Sequence, residues 1–174
     1  MKIKGFTLSE MLVAVAIFLI AILALFAMMD MGRTSWFTGD TSAQLRQEVI
    51  RALTVMEKEI KETRPAQVNL TAGAASASLT LKIPHDNDGN GTVLDSTGNI
   101  EWSTEITYAL NGAGEVTRTS SGITTILAHN IVSLQFTRPV SPVNILQIDI
   151  AARKNTVMGK TIQDLDRVVV KMRN

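Results

Sequence analysis

Residues 1–30 read MKIKGFTLSEMLVAVAIFLIAILALFAMMD, and the uncharged apolar run from Met11 to Met29 decides the architecture. At 1.5 Å of rise per residue, this run predicts a helix of about 28 Å, close to the thickness of the hydrocarbon core of a bilayer. Lys2 and Lys4 precede it, and by the positive-inside rule they place the short N-terminus in the cytoplasm. The sequence therefore predicts one membrane span, with most of the chain on the far side of the membrane.

The entrance to this run is polar, because residues 4–10 read KGFTLSE. A secretory signal peptide has a shorter apolar core and a small-residue cleavage site after it, whereas this run ends in Met28, Met29 and Asp30. A carboxylate at the edge of hydrocarbon costs about 2–3 kcal/mol. Glu10 is therefore expected either to have a partner there or to extend its carboxylate to the interface.

Residues 4–23, KGFTLSEMLVAVAIFLIAIL, resemble the class III leader of type IV prepilins and pseudopilins. The resemblance implies that a prepilin peptidase cuts between Gly5 and Phe6 and methylates the new N-terminus at Phe6. It also implies that Glu10, as the fifth mature residue, pairs with the N-terminal amine of a neighbouring subunit. The partners implied are other pilins, the peptidase, membrane lipid and an inner-membrane assembly platform, with the head in the periplasm before incorporation into a filament.

A second helical pattern follows the membrane run. Residues 30–41 contain Trp36 and Phe37 between two glycines, and they predict a connector whose aromatic side chains either lie at the membrane interface or pack on the head. Residues 42–64 predict an amphipathic helix that Pro65 ends. Its apolar stripe has spacings of four and three residues, as expected for a helix that packs on a sheet: Leu45, Val49, Leu53, Met56 and Ile60.

The pattern changes from helical to alternating in residues 65–174. Short segments rich in β-branched residues, such as SLTLKI at 78–83 and IVSLQFT at 131–137, are separated by Asp-Gly, Asn-Gly and Ser-Gly turns. These segments predict an antiparallel sheet of about four to seven strands. The fold class is therefore α+β and pilin-like, with a leader at 1–5, a transmembrane helix at 6–29 and a β-rich head at 65–174.

The second half of the head resembles one branch of the family. Residues 106–139 resemble the pattern of PilW-like minor pilins, which has a tyrosine strand, an arginine strand, a glycine turn and then an asparagine–valine–x–x–leucine–x–phenylalanine strand. The positions that carry this resemblance are Tyr108, Arg118, Gly122, Asn130 and Phe136. The resemblance implies a minor pilin or pseudopilin near the tip of a type IV pilus or secretion pseudopilus. The J-type minor pseudopilin of type II secretion is the nearest alternative within the family.

One cluster of residues has the composition of a metal site. Asp86, Asp88 and Asn90 alternate ahead of a glycine, which matches the first half of a calcium-binding loop. Thr97 stands where such a loop would place its bidentate glutamate, so Asp95 or Glu101 would have to supply the last carboxylate. The alternative is a hairpin turn, since Asp-Gly and Asn-Gly pairs favour turns without any metal. Calcium is thus the only cofactor that the sequence indicates.

Other function classes find no support in the sequence. The chain has no cysteine, and its two histidines, His85 and His129, are not accompanied by a serine-hydrolase motif or a phosphate-binding glycine loop. The formal net charge is +1, and removal of residues 1–5 would leave 15 basic and 16 acidic side chains. Neither balance favours nucleic-acid binding. We expect a structural protein and no enzyme; the alternative is an uncleaved, membrane-anchored binding module that uses the calcium-like loop.

Overall fold

The computed structural model describes residues 7–173, and a single helix dominates it. Helix α1 extends from Leu8 to Glu62, and a short 3-10 turn, Pro65–Gln67, follows it. The N-terminal part of α1 is almost wholly exposed, including large apolar side chains such as Leu19 and Phe26. By length and composition, α1 is the one helix among the described residues that could cross a membrane. The fold therefore leaves an apolar helix half outside its own core.

The predicted connector at 30–41 is wrong, because α1 continues through it without a break. Gly32 and Gly39 each cost a helix interior only about 1 kcal/mol relative to alanine, and the helix on both sides offsets that cost. The hydroxyls of Thr34 and Thr38 donate to the carbonyls four residues earlier, at 2.9 and 2.8 Å. These local bonds satisfy polar groups that would otherwise compete with helical structure.

Among residues 7–173, the β-rich part contains eight strands in two antiparallel sheets, not the single sheet that the sequence predicted. The first sheet has the order β2-β3-β4-β5, and the second sheet has the order β1-β6-β7-β8. Alternation of apolar and polar residues predicts the strands and their faces, but it does not predict which strands are neighbours. The strands are β1 (Ala75–Ser76), β2 (Ser78–Leu81), β3 (Ile106–Leu110), β4 (Val116–Ser120), β5 (Ile123–Ala128), β6 (Ile131–Thr137), β7 (Ile145–Asn155) and β8 (Thr161–Lys171).

The core lies between the C-terminal half of α1 and the two sheets. Helix α1 contacts β5, β7 and β8, and the sheets meet where β6 approaches β2 and β3. The predicted apolar stripe of the helix is confirmed, since all five of its side chains are buried. Facing them are buried side chains from both sheets: Leu79, Leu81, Ile106, Tyr108, Val116, Leu127, Ile131, Phe136, Leu146, Ile148, Ile150 and Val170. The α+β, helix-on-sheet fold class is thereby confirmed.

A buried arginine holds the end of the helix to the second sheet. The Arg138 side chain follows β6 and is only 8% exposed. Its Nε donates to the carbonyl of Val143 at 2.9 Å, and its Nη1 donates to the carbonyls of Pro65 at 3.1 Å and Leu70 at 2.7 Å. These charge-assisted bonds fix the chain that leaves α1. The sequence analysis did not predict this role for Arg138.

Candidate functional site

The first candidate site is the N-terminus of α1, where Thr7 caps the helix. Thr7 has extended backbone angles, and its Oγ1 accepts a bond from the backbone N–H of Glu10 at 3.3 Å. In return, Oε2 of Glu10 accepts bonds from the backbone N–H and the hydroxyl of Thr7, both at 2.9 Å. This reciprocal pair is a capping box, which satisfies backbone donors that the first turn leaves unpaired.

The capping box places the predicted assembly residue in a defined position. Glu10 is exposed, and both of its side-chain bonds use Oε2. Among the described residues its Oε1 has no hydrogen-bond partner, so a cation or amine from another molecule could approach that oxygen. The predicted processing residues, Gly5 and Phe6, lie outside the described residues 7–173.

Sequence reasoning missed Thr7, although a signal for it was present. The spacing Thr-x-x-Glu ahead of an apolar run is the sequence pattern of a capping box. The analysis assigned Glu10 to a partner in another subunit and did not consider a partner three residues earlier in the same chain. The structure shows that the isolated chain already provides hydrogen-bond donors for this carboxylate.

The second candidate site lies in the long loop between β2 and β3, and Asp86 organises it. Oδ1 of Asp86 accepts bonds from the backbone N–H groups of Gly89 at 2.7 Å and Asn90 at 3.2 Å, and Oδ2 accepts one from Gly91 at 2.8 Å. The bond from Gly91, helped by the other loop donors and opposed by partial desolvation, lowers the pKa of the Asp86 carboxyl. Gly89 and Gly91 have positive φ values of 74° and 81°, a conformation that favours glycine.

The loop brings together only part of the predicted ligand set. Ligand oxygens of Asp86, Asp88 and Glu101 all lie within 4.8 Å of one another. Asp95 is not in this group: its Oδ1 accepts bonds from the hydroxyl and backbone N–H of Thr97 at 2.6 and 2.8 Å. The Thr97 hydroxyl is the largest cause of a lowered pKa at Asp95, which organises a turn of its own. Glu101, the alternative carboxylate, therefore stands closer to the predicted site than Asp95.

The side-chain oxygen of Asn90, a predicted ligand, accepts hydrogen bonds from within the loop. Its Oδ1 accepts bonds from the backbone N–H and hydroxyl of Thr92 at 2.8 and 2.7 Å. Its Nδ2 donates to Oδ2 of Asp88 at 2.9 Å. Three carboxylates at one point form the hard, oxygen-only donor set that Ca²⁺ and Mg²⁺ prefer. The residues fit such an ion by type, while every one of these loop bonds is also what a metal-free hairpin turn would use.

A third polar cluster connects the helix to the first sheet. The hydroxyl of Tyr108 donates to Oε2 of Glu59, and burial followed by the bond to Glu59 raises the pKa of that phenol. Arg118, the cross-strand neighbour of Tyr108, donates to the same carboxylate, which raises the pKa of its guanidinium. The tyrosine and arginine strands of the sequence pattern thus share one carboxylate, and sequence reasoning did not identify Glu59 as that partner.

His129 lies at the surface of the head. Nδ1 of His129 is 3.0 Å from Oε1 of Glu115, and its backbone N–H donates to Oε2 of Glu48 at 3.1 Å. The side chain is 54% exposed. These contacts connect the β5–β6 turn to the β3–β4 turn and to α1, and they include no nucleophile. The arrangement is consistent with a structural role for His129.

Comparison with known proteins adds one match. Residues 1–26 match the family model described as the prokaryotic N-terminal methylation motif. No curated protein and no solved structure matches the chain. The motif and the long apolar helix fit a membrane-anchored, single-pass protein. With a helix packed on antiparallel sheets behind it, the methylation motif at residues 1–26 supports the type IV prepilin-like family for this chain.

Proposed function

We propose that this chain is a minor pilin or pseudopilin, cut by prepilin peptidase between Gly5 and Phe6 and assembled into a type IV pilus or secretion pseudopilus. The observation that carries the proposal is the methylation motif, because it continues directly into an exposed apolar helix. Such a helix needs lipid before assembly and the helices of other subunits afterwards. The placement near the tip is supported by the resemblance of residues 106–139 to PilW-like sequences.

The same features support a structural role and no catalytic one. The polar clusters of the head connect its own elements, as Glu59 does between α1 and the first sheet. Glu10 is proposed to pair with the N-terminal amine of a neighbouring subunit, with Oε1 as the oxygen that faces it. Other pilins and the inner-membrane assembly platform are the partners of this proposal, and the head is proposed to be periplasmic.

The test is the state of the N-terminus in cells that contain the peptidase. Intact-mass measurement and N-terminal sequencing of the membrane-extracted protein should show loss of residues 1–5 and one methyl group on Phe6. Cells that lack the peptidase provide the control and should contain the full-length chain. If Met1 is retained in both, the chain is not a processed filament subunit.

A second candidate is an uncleaved, membrane-anchored module that binds a ligand through its acidic loop. The convergence of Asp86, Asp88 and Glu101 favours it. It makes the opposite forecast for the N-terminus, since the leader would remain, and it requires that the loop bind calcium. The two candidates are thus separated by the same mass measurement.

A further inference from the structure

The longest hairpin of the head runs back along α1 towards the membrane end of the helix. At one end, the backbone N–H of Arg173 donates to the carbonyl of Thr63 at 3.0 Å, just beyond the C-terminus of α1. At the other end, Nζ of Lys154 donates to Oε1 of Gln44 at 2.9 Å. Strands β7 and β8 pair without interruption between these points. The turn that joins them therefore lies on the membrane side of Gln44.

The turn is well defined by hydrogen bonds, yet it exposes apolar side chains. Thr156 is only 6% exposed, and its backbone exchanges bonds with Lys160 at 2.7 Å and Gly159 at 2.9 Å. Val157 is nevertheless 86% exposed and Met158 44% exposed. We call residues 156–160 the hairpin tip. An apolar pair fixed outwards by a tight turn is a feature that a surface contact would explain.

The position of the hairpin tip follows from simple geometry. Val157 lies three residues beyond Lys154, which is about 10 Å along a strand and corresponds to about seven residues of helix. The tip is thus level with about Phe37 of α1. On the helix, Thr41 lies three residues closer to the membrane than Gln44 and is only 8% exposed. The face of α1 covered by the head therefore extends about one turn past Gln44 towards the membrane.

This level is close to the edge of the predicted span. From Met29, the last residue of the run, to Phe37 the helix rises about 12 Å. The headgroup region of a bilayer is about 5–8 Å thick on each side, so the tip stands about 4–7 Å outside this layer, a gap that the long side chains of Met158 and Lys160 can span. Trp36, which is 76% exposed, lies on α1 at about the level of the tip, and the exposed Arg33 lies about one helical turn closer to the span. Tryptophan and basic side chains are typical of this layer.

We propose that the hairpin tip, with Arg33 and Trp36, forms a second membrane contact that rests on the headgroups of the bilayer into which α1 inserts. Val157 and Met158 enter the interface, while Lys160 and Arg33 face anionic headgroups. This contact holds the head against the membrane at a fixed tilt before assembly. The inference rests on the membrane-anchored state of the proposed function.

Local charge favours lipid over a second protein as the occupant. Lys154 lies just before the tip and Lys160 is its last residue, and the hairpin carries no acidic residue between Asp149 and Asp164. Two acidic residues lie on this part of the helix. The charge of Asp30 offsets that of Arg33, and Oδ2 of Asp40 accepts a bond from the side chain of Gln44 at 2.9 Å. The basic residues thus lie on the turn itself, where an anionic surface would meet them first.

The chain has no cysteine, so a single introduced cysteine can carry a fluorophore at either end of strand β7 and report its distance from the lipid headgroups. We would place it in the full-length protein at Val157→Cys and, in a second variant, at Met158→Cys, and label it with an environment-sensitive fluorophore. The matched control is Val140→Cys, because Val140 is 72% exposed on the β6–β7 loop, beside Arg138 at the membrane-distal end. The proteins are reconstituted into vesicles of phosphatidylcholine and phosphatidylglycerol with nitroxide-labelled headgroups.

We expect quenching at Val157 and Met158 to be several-fold stronger than at Val140. Adding Lys160→Glu to the variant labelled at Val157 should weaken its quenching. Replacing phosphatidylglycerol with phosphatidylcholine should reduce the contact. Equal, low quenching at both ends of the sheet would overturn the proposal, as would quenching that appears only when a second pilin is added. Carbonate extraction of the same vesicles separates the two hypotheses. An extractable protein contradicts the membrane anchor itself, whereas an inserted protein with an unquenched tip contradicts only the second contact.

Discussion

The guanidinium of Arg118 in β4 binds the carboxylate of Glu59 in α1, with Nη2 2.8 Å and Nε 3.0 Å from Oε1 and Nε 3.2 Å from Oε2. The two side chains are 25% and 14% exposed, so solvent screens the pair only in part. The Tyr108 hydroxyl donates to the other oxygen of the same carboxylate. One helix residue therefore connects α1 to two neighbouring strands and defines how the helix sits on the first sheet.

Removal of that carboxylate should cost far more than removal of a surface one. Glu59→Ala leaves a guanidinium and a phenol without their partner, and we expect a loss of about 2–4 kcal/mol in the free energy of unfolding. The matched control is Glu57→Ala on the same helix, where Glu57 forms only a surface pair with Lys61 at 2.7 Å. That change should cost about 0.5 kcal/mol or less. Denaturant titration of both variants measures the difference, and equal losses would show that the triad contributes little.

Processing should depend on the glycine that precedes Phe6. Gly5 has no side chain, so nothing there obstructs close approach of the peptidase to the backbone. Gly5→Val should leave a full-length precursor in the membrane on a mass-resolved blot. Gly32→Ala is the control, because Gly32 lies in the open helix surface, where an added methyl group meets no atom within 4 Å. Normal loss of residues 1–5 from the Gly5 variant would contradict the leader assignment.

Filament assembly should require Glu10, whereas insertion into the membrane should not. Glu10→Leu removes a charge from the edge of the hydrocarbon, so the variant should insert at least as well as the native chain. Cleavage should continue, whereas recovery in sheared filaments, or with other pilins after purification, should fall several-fold. Glu57→Leu provides a control for loss of a helix carboxylate elsewhere. Native levels of incorporation would leave Glu10 with only its capping role at Thr7.

The sequence predicted those parts of the fold that depend on local pattern. The stripe from Leu45 to Ile60 is read directly from side-chain periodicity, and its side chains are buried as expected. The β-rich segments form strands, and β2 keeps the predicted alternation, whereas β5 has four exposed residues followed by two buried ones. The break at residues 30–41 was wrong because two glycines are weak helix breakers when helix on either side continues. Periodicity carries no information on strand order, which explains why one sheet was expected where two are present.

In the candidate sites too, the sequence predicted the features set by local spacing and missed those set by contacts between distant residues. Asp86 and Asp88 were found from spacing, since the loop that joins them is short. Glu101 replaces Asp95 because a bridge between Pro84 and Trp102 pairs the two ends of the loop. This pairing brings Glu101 beside Asn87, whose N–H it accepts at 2.6 Å. Contacts between residues far apart in the chain, such as Glu59 with Arg118, have no signal in a single sequence.

The hydrogen bonds around Asp86 predict a pH dependence in acid. Because its pKa is lower in the folded chain, Asp86 contributes stability that is fully present above the ordinary value of 3.8. That contribution is lost as pH falls below 3.8 towards the folded pKa. The free energy of unfolding should therefore drop more steeply below pH 3.8 in the native protein than in Asp86→Asn. Denaturant titrations across this range measure both slopes, and parallel curves would show that the loop bonds are not formed in solution.

Calcium should stabilise the head if the three carboxylates bind it. An ion that binds only the folded state contributes RT ln(1 + [L]/Kd), which is about 1.5–3 kcal/mol for millimolar calcium and a Kd of about 10⁻⁵ to 10⁻⁴ M. At about 4–8 °C per kcal/mol for a small domain, the full-length protein in detergent should melt several degrees higher in calcium than in chelator. Asp86→Asn combined with Glu101→Gln should abolish the difference.

The matched control for calcium is Asp95→Asn, because Asp95 lies outside the group that converges with Asp86. This control should keep the calcium response even if its own turn is weakened. The hairpin alternative predicts the opposite result: chelator changes nothing, while Gly89→Val destabilises the head because a β-branched residue is strained at a φ of 74°. A melting temperature that stays constant throughout a calcium titration would therefore exclude the metal site and leave the loop as a turn whose bonds to Asp86 are purely structural.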